Sequence, residues 1–189
     1  MLHPLIDALY WLTLSAWFGA VLVSAMIPPI IHKTINDADP TLPLVLSVNL
    51  DKQHSILLAG GVVSEILKML FRLEAICALV FLPALVGKWF MVDVAGSNVI
   101  MPLMVTALYL ISVAFVLYGW RVVYPKVIRH RERYIENADD PDVANAELDS
   151  FDRYSIELFA VVRNLLFSLL GAVLFSAALP PYVQRLTAT

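Results

Sequence analysis

Five polar side chains stand inside or at the edges of long apolar stretches, where they could build a site within a membrane. Hydrophobic residues make up 60% of the chain, against roughly 45–50% in soluble globular domains. An ionisable group inside a membrane span is costly, so it either finds a partner or serves a function. We therefore predict an intramembrane polar cluster near one face, built from Glu74, Arg121, Glu157, Arg163 and Asn164.

Two interpretations of this cluster remain open. In the structural one its members pair with one another, because a lone charge at that depth is expensive. We expect Glu74 and Arg163 to form such an interhelical ion pair. In the functional one the same groups line a vestibule for a proton, an ion or a lipid headgroup.

A second group of side chains could bind a soft metal ion. Met101 and Met104 are three residues apart and share a helix face, and we expect His3 and Met91 to lie near the same outer surface. Thioether and imidazole ligands suit Cu(I). Methionine in apolar sequence more commonly serves packing, so we predict no metal site and no cofactor, and keep these four as copper candidates.

Other chemistries have little support. His32, His54 and His130 fall in polar segments, where they cannot face one another within a span as a bis-histidine haem site requires. The chain shows no pattern typical of a catalytic triad, a phosphate-binding loop or a cysteine-rich zinc site. Cys77 is the single cysteine. The net charge of −3 gives no basic face for nucleic acid. We therefore expect a protein that is not an enzyme and does not bind nucleic acid.

The apolar stretches that must position these groups predict four membrane spans in one all-α domain, residues 1–189. The uncharged part of the first covers 24 residues, enough to cross a core of ~30 Å. We expect this span to be retained rather than cleaved, since no Lys or Arg precedes it. Pro28–Pro29 should bend or end its helix, with a loop over His32–His54. The spans are expected at about Leu5–Ile31, Leu70–Val92, Val99–Val123 and Glu157–Leu179.

The stretch Ser55–Leu73 combines apolar residues with a charged face. Glu65, Lys68 and Arg72 recur at spacings of three and four. Each charge would cost about 2.5–3.5 kcal/mol at the bilayer centre, so we predict a cytoplasmic, interfacial amphipathic helix that runs into the second span. Arg72 and Lys88 should extend towards the headgroups, and Asp93–Asn98 should form a turn.

The distribution of Lys and Arg predicts the orientation. One side of the membrane would hold only two basic residues, Lys88 and Arg185. Because Lys and Arg are enriched in cytoplasmic loops, this should be the non-cytoplasmic side, most simply of a bacterial inner membrane, and both termini should lie there. The loops after spans one and three would share the cytoplasmic side, with eleven basic residues: Lys33, Lys52, Lys68, Arg72, Arg121, Lys126, Arg129, Arg131, Arg133, Arg153 and Arg163.

Between spans three and four the sequence predicts a cytoplasmic helical hairpin. Asp140 stands at an N-cap position and Pro141 at the first helical position of the second arm. Basic residues on the first arm should face acidic residues on the second. The basic stripe serves either topology and attraction to lipid headgroups or the docking of a cytoplasmic protein partner at residues 126–155.

Small residues in the first span favour close helix contacts and a possible homo-oligomer. Ser15, Gly19, Ala20 and Ser24 recur at spacings of one to five residues.

Several short motifs follow one another along the chain. They are Trp17-Phe18-Gly19-Ala20, Pro28-Pro29, Ala59-Gly60, Tyr124-Pro125 and Arg163-Asn164-Leu165. Their order resembles the four-helix membrane family catalogued as domain of unknown function forty-one forty-nine, and the resemblance implies a four-span architecture without an agreed chemistry. That family usually has His and Ser where this chain has Glu157 and Ala160. More distantly, the first helix is similar to that of copper-resistance inner-membrane proteins.

The resulting expectation is a non-enzymatic integral membrane protein, either a small transport or tolerance factor or an accessory or scaffold subunit. The alternative is a metal-handling or redox membrane protein.

Overall fold

The described part of the chain is helical apart from a few residues between Glu136 and Pro141. The structure is a computed structural model that describes residues 2–38, 54–91, 100–137 and 139–177. A π-helical segment, Gly119–Val123, joins the third and fourth α-helices without a break, so the described residues form four long rods. The helices are α1 (Leu2–Ala38), α2 (His54–Met91), α3 (Ile100–Tyr118), α4 (Tyr124–Glu136) and α5 (Pro141–Ala177).

Four stretches of these rods are long and apolar enough to cross a membrane. Many large apolar side chains on them point away from the bundle, among them Leu12, Leu79 and Phe90. A soluble protein rarely exposes apolar patches of this extent. The finding confirms the predicted all-α bundle and fits a multi-pass integral membrane protein. The stretches are Pro4–Ile35, Leu58–Phe90, Ile100–Glu136 and Pro141–Ala177.

Of the two predicted effects of Pro28–Pro29, a bend or an end of the first helix, the end is wrong, and so is the loop expected to begin at His32. α1 continues through both prolines to Ala38. A proline inside a helix removes one hydrogen bond and costs roughly 3 kcal/mol. Pro28 is buried against the rest of the bundle, and this packing offsets part of the cost.

The helix predicted over Ser55–Leu73 runs into the second span without a break. α2 extends from His54 to Met91 as one continuous helix. At ~1.5 Å per residue, its 38 residues extend well beyond the hydrocarbon core. Glu65 and Arg72 are exposed, and Lys68 lies 3.4 Å from the Glu65 carboxylate.

Aromatic side chains form the centre of the bundle. Trp17 of α1 and Tyr109 of α3 meet edge to face, with ring centroids 6.0 Å apart. Phe81 of α2 packs on Tyr109 at 5.6 Å and on Tyr10 at 4.8 Å. All four rings are buried, so aromatic contacts of the kind that add ~0.5–1.5 kcal/mol each join three of the four rods.

Contacts at one end of the bundle bring the two described ends of the chain together. The Tyr10 and Ser176 hydroxyls hydrogen-bond, which links the start of α1 to the end of α5. Lys88, near the end of α2, forms an ion pair with Asp7 of α1. The four rods therefore alternate in direction, as four successive crossings require.

The antiparallel hairpin predicted between the last two rods is confirmed. Asp140 Oδ1 accepts hydrogen bonds from the backbone N–H groups of Asp142 and Val143, at 3.2 and 3.4 Å, and α5 begins at Pro141. On the facing arm, His130 and Arg133 contact the two carboxylate oxygens of Glu147, at 2.5 and 3.7 Å. Basic groups of one arm thus meet an acidic group of the other.

Three predictions fall outside the described residues. They are the loop over residues 39–53, the turn at 93–98, and the end of the fourth span at 178–179 with the prolines that follow it.

Candidate functional site

Glu74 is the only acidic side chain in the described part of the chain that is fully buried. It lies on the inner face of α2 and is 0% exposed. Ser24 Oγ of α1 lies 2.9 Å from Glu74 Oε1 and can donate a hydrogen bond to it. Oε2 is equally buried, and no described residue provides it with a partner. A buried carboxyl group with half of its hydrogen-bonding capacity unused is unusual and calls for an explanation.

The predicted ion pair between Glu74 and Arg163 is not formed. Arg163 and Asn164 are exposed on α5, while the inward positions at this level are Val162 and Leu165. Both polar residues therefore lie on a part of the helix surface turned away from α2. Sequence position indicated their depth in the membrane, but the rotation of α5 about its axis directs their side chains outward.

The other two members of the predicted cluster also have separate environments. Arg121 is exposed, with its guanidinium 5.4 Å from the centroid of the neighbouring Trp120 ring. Glu157 Oε1 accepts a hydrogen bond from the Tyr118 hydroxyl at 2.5 Å. No hydrogen bond or ion pair among the described residues joins any two of the five predicted cluster members. Glu74 therefore forms a site without the other four.

Ser24 is the partner of Glu74 that the sequence did not reveal, because in the sequence it indicated only a small side chain. It is 2% exposed. Its hydroxyl group lies 2.9 Å from Glu74 Oε1 and 3.0 Å from the Ala20 carbonyl oxygen. A serine hydroxyl carries one proton, so it donates fully to only one of these acceptors at a time. The bond to Glu74 and the bond to Ala20 are therefore alternatives.

The two prolines of α1 remove two helical hydrogen-bond donors beside Ser24. In a regular helix the carbonyl of residue i accepts from the N–H of residue i+4. Pro28 and Pro29 have no N–H, so the Ser24 and Ala25 carbonyls lack this donor. The sequence already indicates this position, because a proline four residues after Ser24 leaves the Ser24 carbonyl without its helical donor.

A cavity of about 440 Å³ begins at Ser24 and Pro28. Its walls come from α1, α2, α4 and α5, and most of its lining is apolar. The Tyr124 hydroxyl donates to the Ser64 carbonyl at 3.2 Å in one wall. On α5 the lining residues Asp152, Ile156 and Phe159 are exposed, which places the cavity mouth there.

The π-helical segment Gly119–Val123 is a second feature that the sequence did not predict. It ends directly before Tyr124, whose N–H donates to the Gly119 carbonyl. Pro125 follows, and in a regular α-helix its ring would collide with the Arg121 carbonyl four residues earlier. Widening of the preceding turn avoids this collision and helps to place Tyr124 in the cavity wall.

Two glycines bring α2 close to the hairpin beside the cavity. A Cβ atom on Gly61 would lie 2.8 Å from Arg131 Nη2, and one on Gly60 would lie 3.6 Å from the Phe151 ring. Gly61 leaves room for the present position of the Arg131 guanidinium, which would have to shift if this residue carried a Cβ atom.

Two of the four copper candidates have described side chains. Met104 is exposed and Met101 is half-buried near the start of α3. The side chains of His3 and Met91 are outside the described set. Residues 2–38, 54–91, 100–137 and 139–177 contain no group of three or more His, Cys, Asp or Glu side chains placed to hold a metal ion.

Comparisons with known proteins add no assignment. No protein-family model, no curated protein and no solved structure matches the chain. The resemblance to the four-helix family therefore stays a prediction, and the site has to be interpreted from its geometry.

Proposed function

We propose that this protein is a non-enzymatic integral membrane protein of the small transport or tolerance class, which binds a small ligand in the cavity beside Ser24. The observation that carries the proposal is the cavity of about 440 Å³ next to a fully buried carboxyl group. Ligand sites are commonly cavities of ~300–1,000 Å³, mostly apolar, with a few well-placed polar groups. The cavity beside Ser24 has a volume in this range and a mostly apolar lining with a few polar groups.

The cavity favours ligand binding over a purely structural scaffold. Interiors of helical bundles are normally close-packed, and a scaffold or accessory subunit has no need of an internal space. The lining offers polar groups from three different helices, including Ser24, Tyr124 and Ser155. Comparable support for the alternative metal-handling or redox function is lacking among the described residues.

We also propose that the cavity opens towards the cytoplasmic half of a bacterial inner membrane. The imbalance of eleven basic residues against two supports this orientation. Lys88 lies at the end of the bundle that holds Asp7 and the described end of α5, opposite the α4–α5 hairpin. Both chain ends would then be on the non-cytoplasmic side.

Ligand binding can be tested with three probes that share one apolar body. They are 4-phenylbutylamine, 4-phenylbutanol and 4-phenylbutyrate, which are cationic, neutral and anionic near neutral pH. We expect at least one of them to raise the midpoint of thermal unfolding of the purified protein in detergent. Val63→Phe should abolish the effect, because Val63 is buried in the cavity wall.

A matched variant controls for partition of the probes into the detergent. Val80→Phe places the same ring on an exposed position of α2 outside the cavity lining, and it should retain the stabilisation. If none of the three probes stabilises the protein, or if Val63→Phe responds as the parent does, the proposed ligand site is wrong.

A further inference from the structure

We propose that the Glu74 carboxyl group is a proton-binding site whose proton is released when the positively charged head of an amine ligand occupies the cavity at Ser24. This inference rests on the proposed function and names its ligand class. It follows from three features: the two acceptors beside the Ser24 hydroxyl, the missing cation at Glu74, and the few acceptors at the inner end and mouth of a mostly apolar cavity that has no Lys or Arg among its described lining residues.

The match between hydrogen-bond donors and acceptors favours a protonated Glu74 in the empty site. A protonated carboxyl group can donate to Ser24 Oγ across the 2.9 Å contact, while Ser24 donates to the Ala20 carbonyl across 3.0 Å. Each donor in this series of hydrogen bonds then has an acceptor. An ionised carboxylate would instead take the Ser24 proton, leave the Ala20 contact without a donor, and keep a charged Oε2 buried without a partner. Burying an unpaired charge is far more costly than burying a neutral carbonyl oxygen.

No basic side chain in the described residues offsets a charge on Glu74. Arg72 on its own helix and Arg163 on α5 are both exposed, and Lys88, further along α2, pairs with Asp7. Ser24 is the one hydrogen-bond partner that the described chain supplies. Ionisable side chains on the elements around Glu74 that make no hydrogen bond or ion pair with it include His32 on α1, Glu65, Arg72 and Cys77 on α2, Tyr118, Arg121 and Tyr124 on the third rod, and Glu157 and Arg163 on α5.

The cavity wall is complementary to a hydrogen-bond donor. Lys and Arg do not occur among its described lining residues, whereas Asp152 stands at its mouth. At its inner end the Ser24 carbonyl lacks a helical donor because Pro28 has no N–H. A protonated amine there can donate to this carbonyl and to Ser24 Oγ, with its apolar body against the remaining lining. Ser24 then donates to Glu74, and one hydroxyl group separates the two charges.

The exchange conserves charge and needs no further reactant. In the empty state the site holds a neutral carboxyl group. In the occupied state it holds one carboxylate and one ammonium group, and one proton has left for solvent. The net charge of the buried site is zero in both states, so exchange avoids the cost of burying an unpaired charge.

The test measures protons released as ligand binds. Purified protein in detergent is titrated with 4-phenylbutylamine near neutral pH in a weakly buffered solution that contains a pH indicator. We expect about one proton to be released per amine bound, since alkylamines, like lysine with a pKa of ~10.4, are already protonated at this pH. 4-Phenylbutanol should bind at least tenfold more weakly and release none.

Two variants assign the released proton. Glu74→Gln keeps the shape and hydrogen bonding of the protonated side chain, so it should fold, bind the amine at least tenfold more weakly and release no proton. Glu65→Gln removes an exposed carboxylate from the same helix and should behave as the parent. Difference infrared spectroscopy supplies a second measurement on the parent protein, where addition of the amine should remove a carboxylic-acid C=O band and produce a carboxylate band.

The outcomes separate this inference from the proposed function. If the alcohol binds as well as the amine, or if Glu74→Gln still releases a proton, the exchange is wrong while the ligand site stands. Loss of the carboxylic-acid band in the parent without any proton release would also contradict the exchange. If none of the three probes binds, both proposals are wrong.

Discussion

The Ser112 hydroxyl of α3 donates to the Ser168 hydroxyl of α5 at 3.0 Å, and Ser168 in turn donates to the Leu108 carbonyl at 3.1 Å. Both serines are buried, at 0% and 7% exposure. Water is scarce inside a membrane-embedded bundle, so a polar group there must find its partner within the protein. This two-step chain satisfies both hydroxyl donors and joins two rods side by side.

The direction of these two hydrogen bonds predicts unequal effects of two alanine substitutions. Ser168→Ala should destabilise the protein by about 1–2 kcal/mol, because it leaves the buried Ser112 hydroxyl without its acceptor. Ser112→Ala should cost about 0.5–1 kcal/mol, because Ser168 still donates to Leu108. Reversible unfolding in mixed micelles measures both values. Equal losses, or a larger loss for Ser112→Ala, would contradict the assigned direction.

Close helix packing predicts opposite results for two glycines. A Cβ atom at Gly119 would lie 3.1 Å from a Phe71 ring carbon and 3.2 Å from a Val161 methyl carbon, whereas one at Gly19 meets nothing within 4 Å. Gly119→Ala should therefore lower stability by about 1–3 kcal/mol through overpacking. Gly19→Ala should leave it unchanged or raise it by up to about 1 kcal/mol, since alanine favours the helix.

Thermal unfolding of the two glycine variants, prepared in parallel, checks this contrast. Gly19 lies on the surface of α1 that the sequence associates with helix contacts between copies of the chain. A large loss for Gly19→Ala together with a change in oligomeric state would show that a partner helix covers this position.

The N-cap of α5 predicts a local effect in the hairpin. Asp140→Ala removes the acceptor of the Asp142 and Val143 N–H groups, and loss of such a cap typically costs about 0.5–2 kcal/mol. Hydrogen exchange should accelerate in the first turns of α5. Asp139→Ala is the matched control, because Asp139 is equally exposed and makes no capping bond. The same acceleration in both variants would mean that charge, not capping, is responsible.

The proposed orientation predicts which positions react with a membrane-impermeant maleimide. In a Cys77→Ser background, Asp139→Cys in the hairpin should be protected in intact spheroplasts and labelled in inverted vesicles. Pro4→Cys, at the exposed start of α1, should show the reverse. Labelling of Asp139→Cys from outside the cell would overturn the orientation derived from Lys and Arg.

Features that depend on neighbouring residues could be predicted from the sequence. Windows of apolar residues predicted four long helices, and Asp140 followed by Pro141 predicted the start of α5. Each signal is local, because hydropathy is summed along one segment and a cap bonds to residues two and three positions away. Both predictions were confirmed because each depends only on residues within one segment.

Predictions that required knowledge of packing were less successful. Pro28–Pro29 are strong helix breakers in isolation, yet α1 passes through them because tertiary contacts bury Pro28. Depth in the membrane suggested that Glu74 would meet Arg163. Depth does not determine how a helix is rotated about its axis, and the packing of α5 turns Arg163 outward.

The sequence by itself determined that the chain forms four apolar helices and that Glu74 lies in one of them, since both follow from the order of residues along single segments. Only the tertiary structure decided that Ser24 is the partner of Glu74 and that a cavity begins beside them. The two residues are 50 positions apart, and their contact depends on the mutual rotation and depth of α1 and α2. Those quantities arise from side-chain packing over the whole bundle, which no single segment encodes.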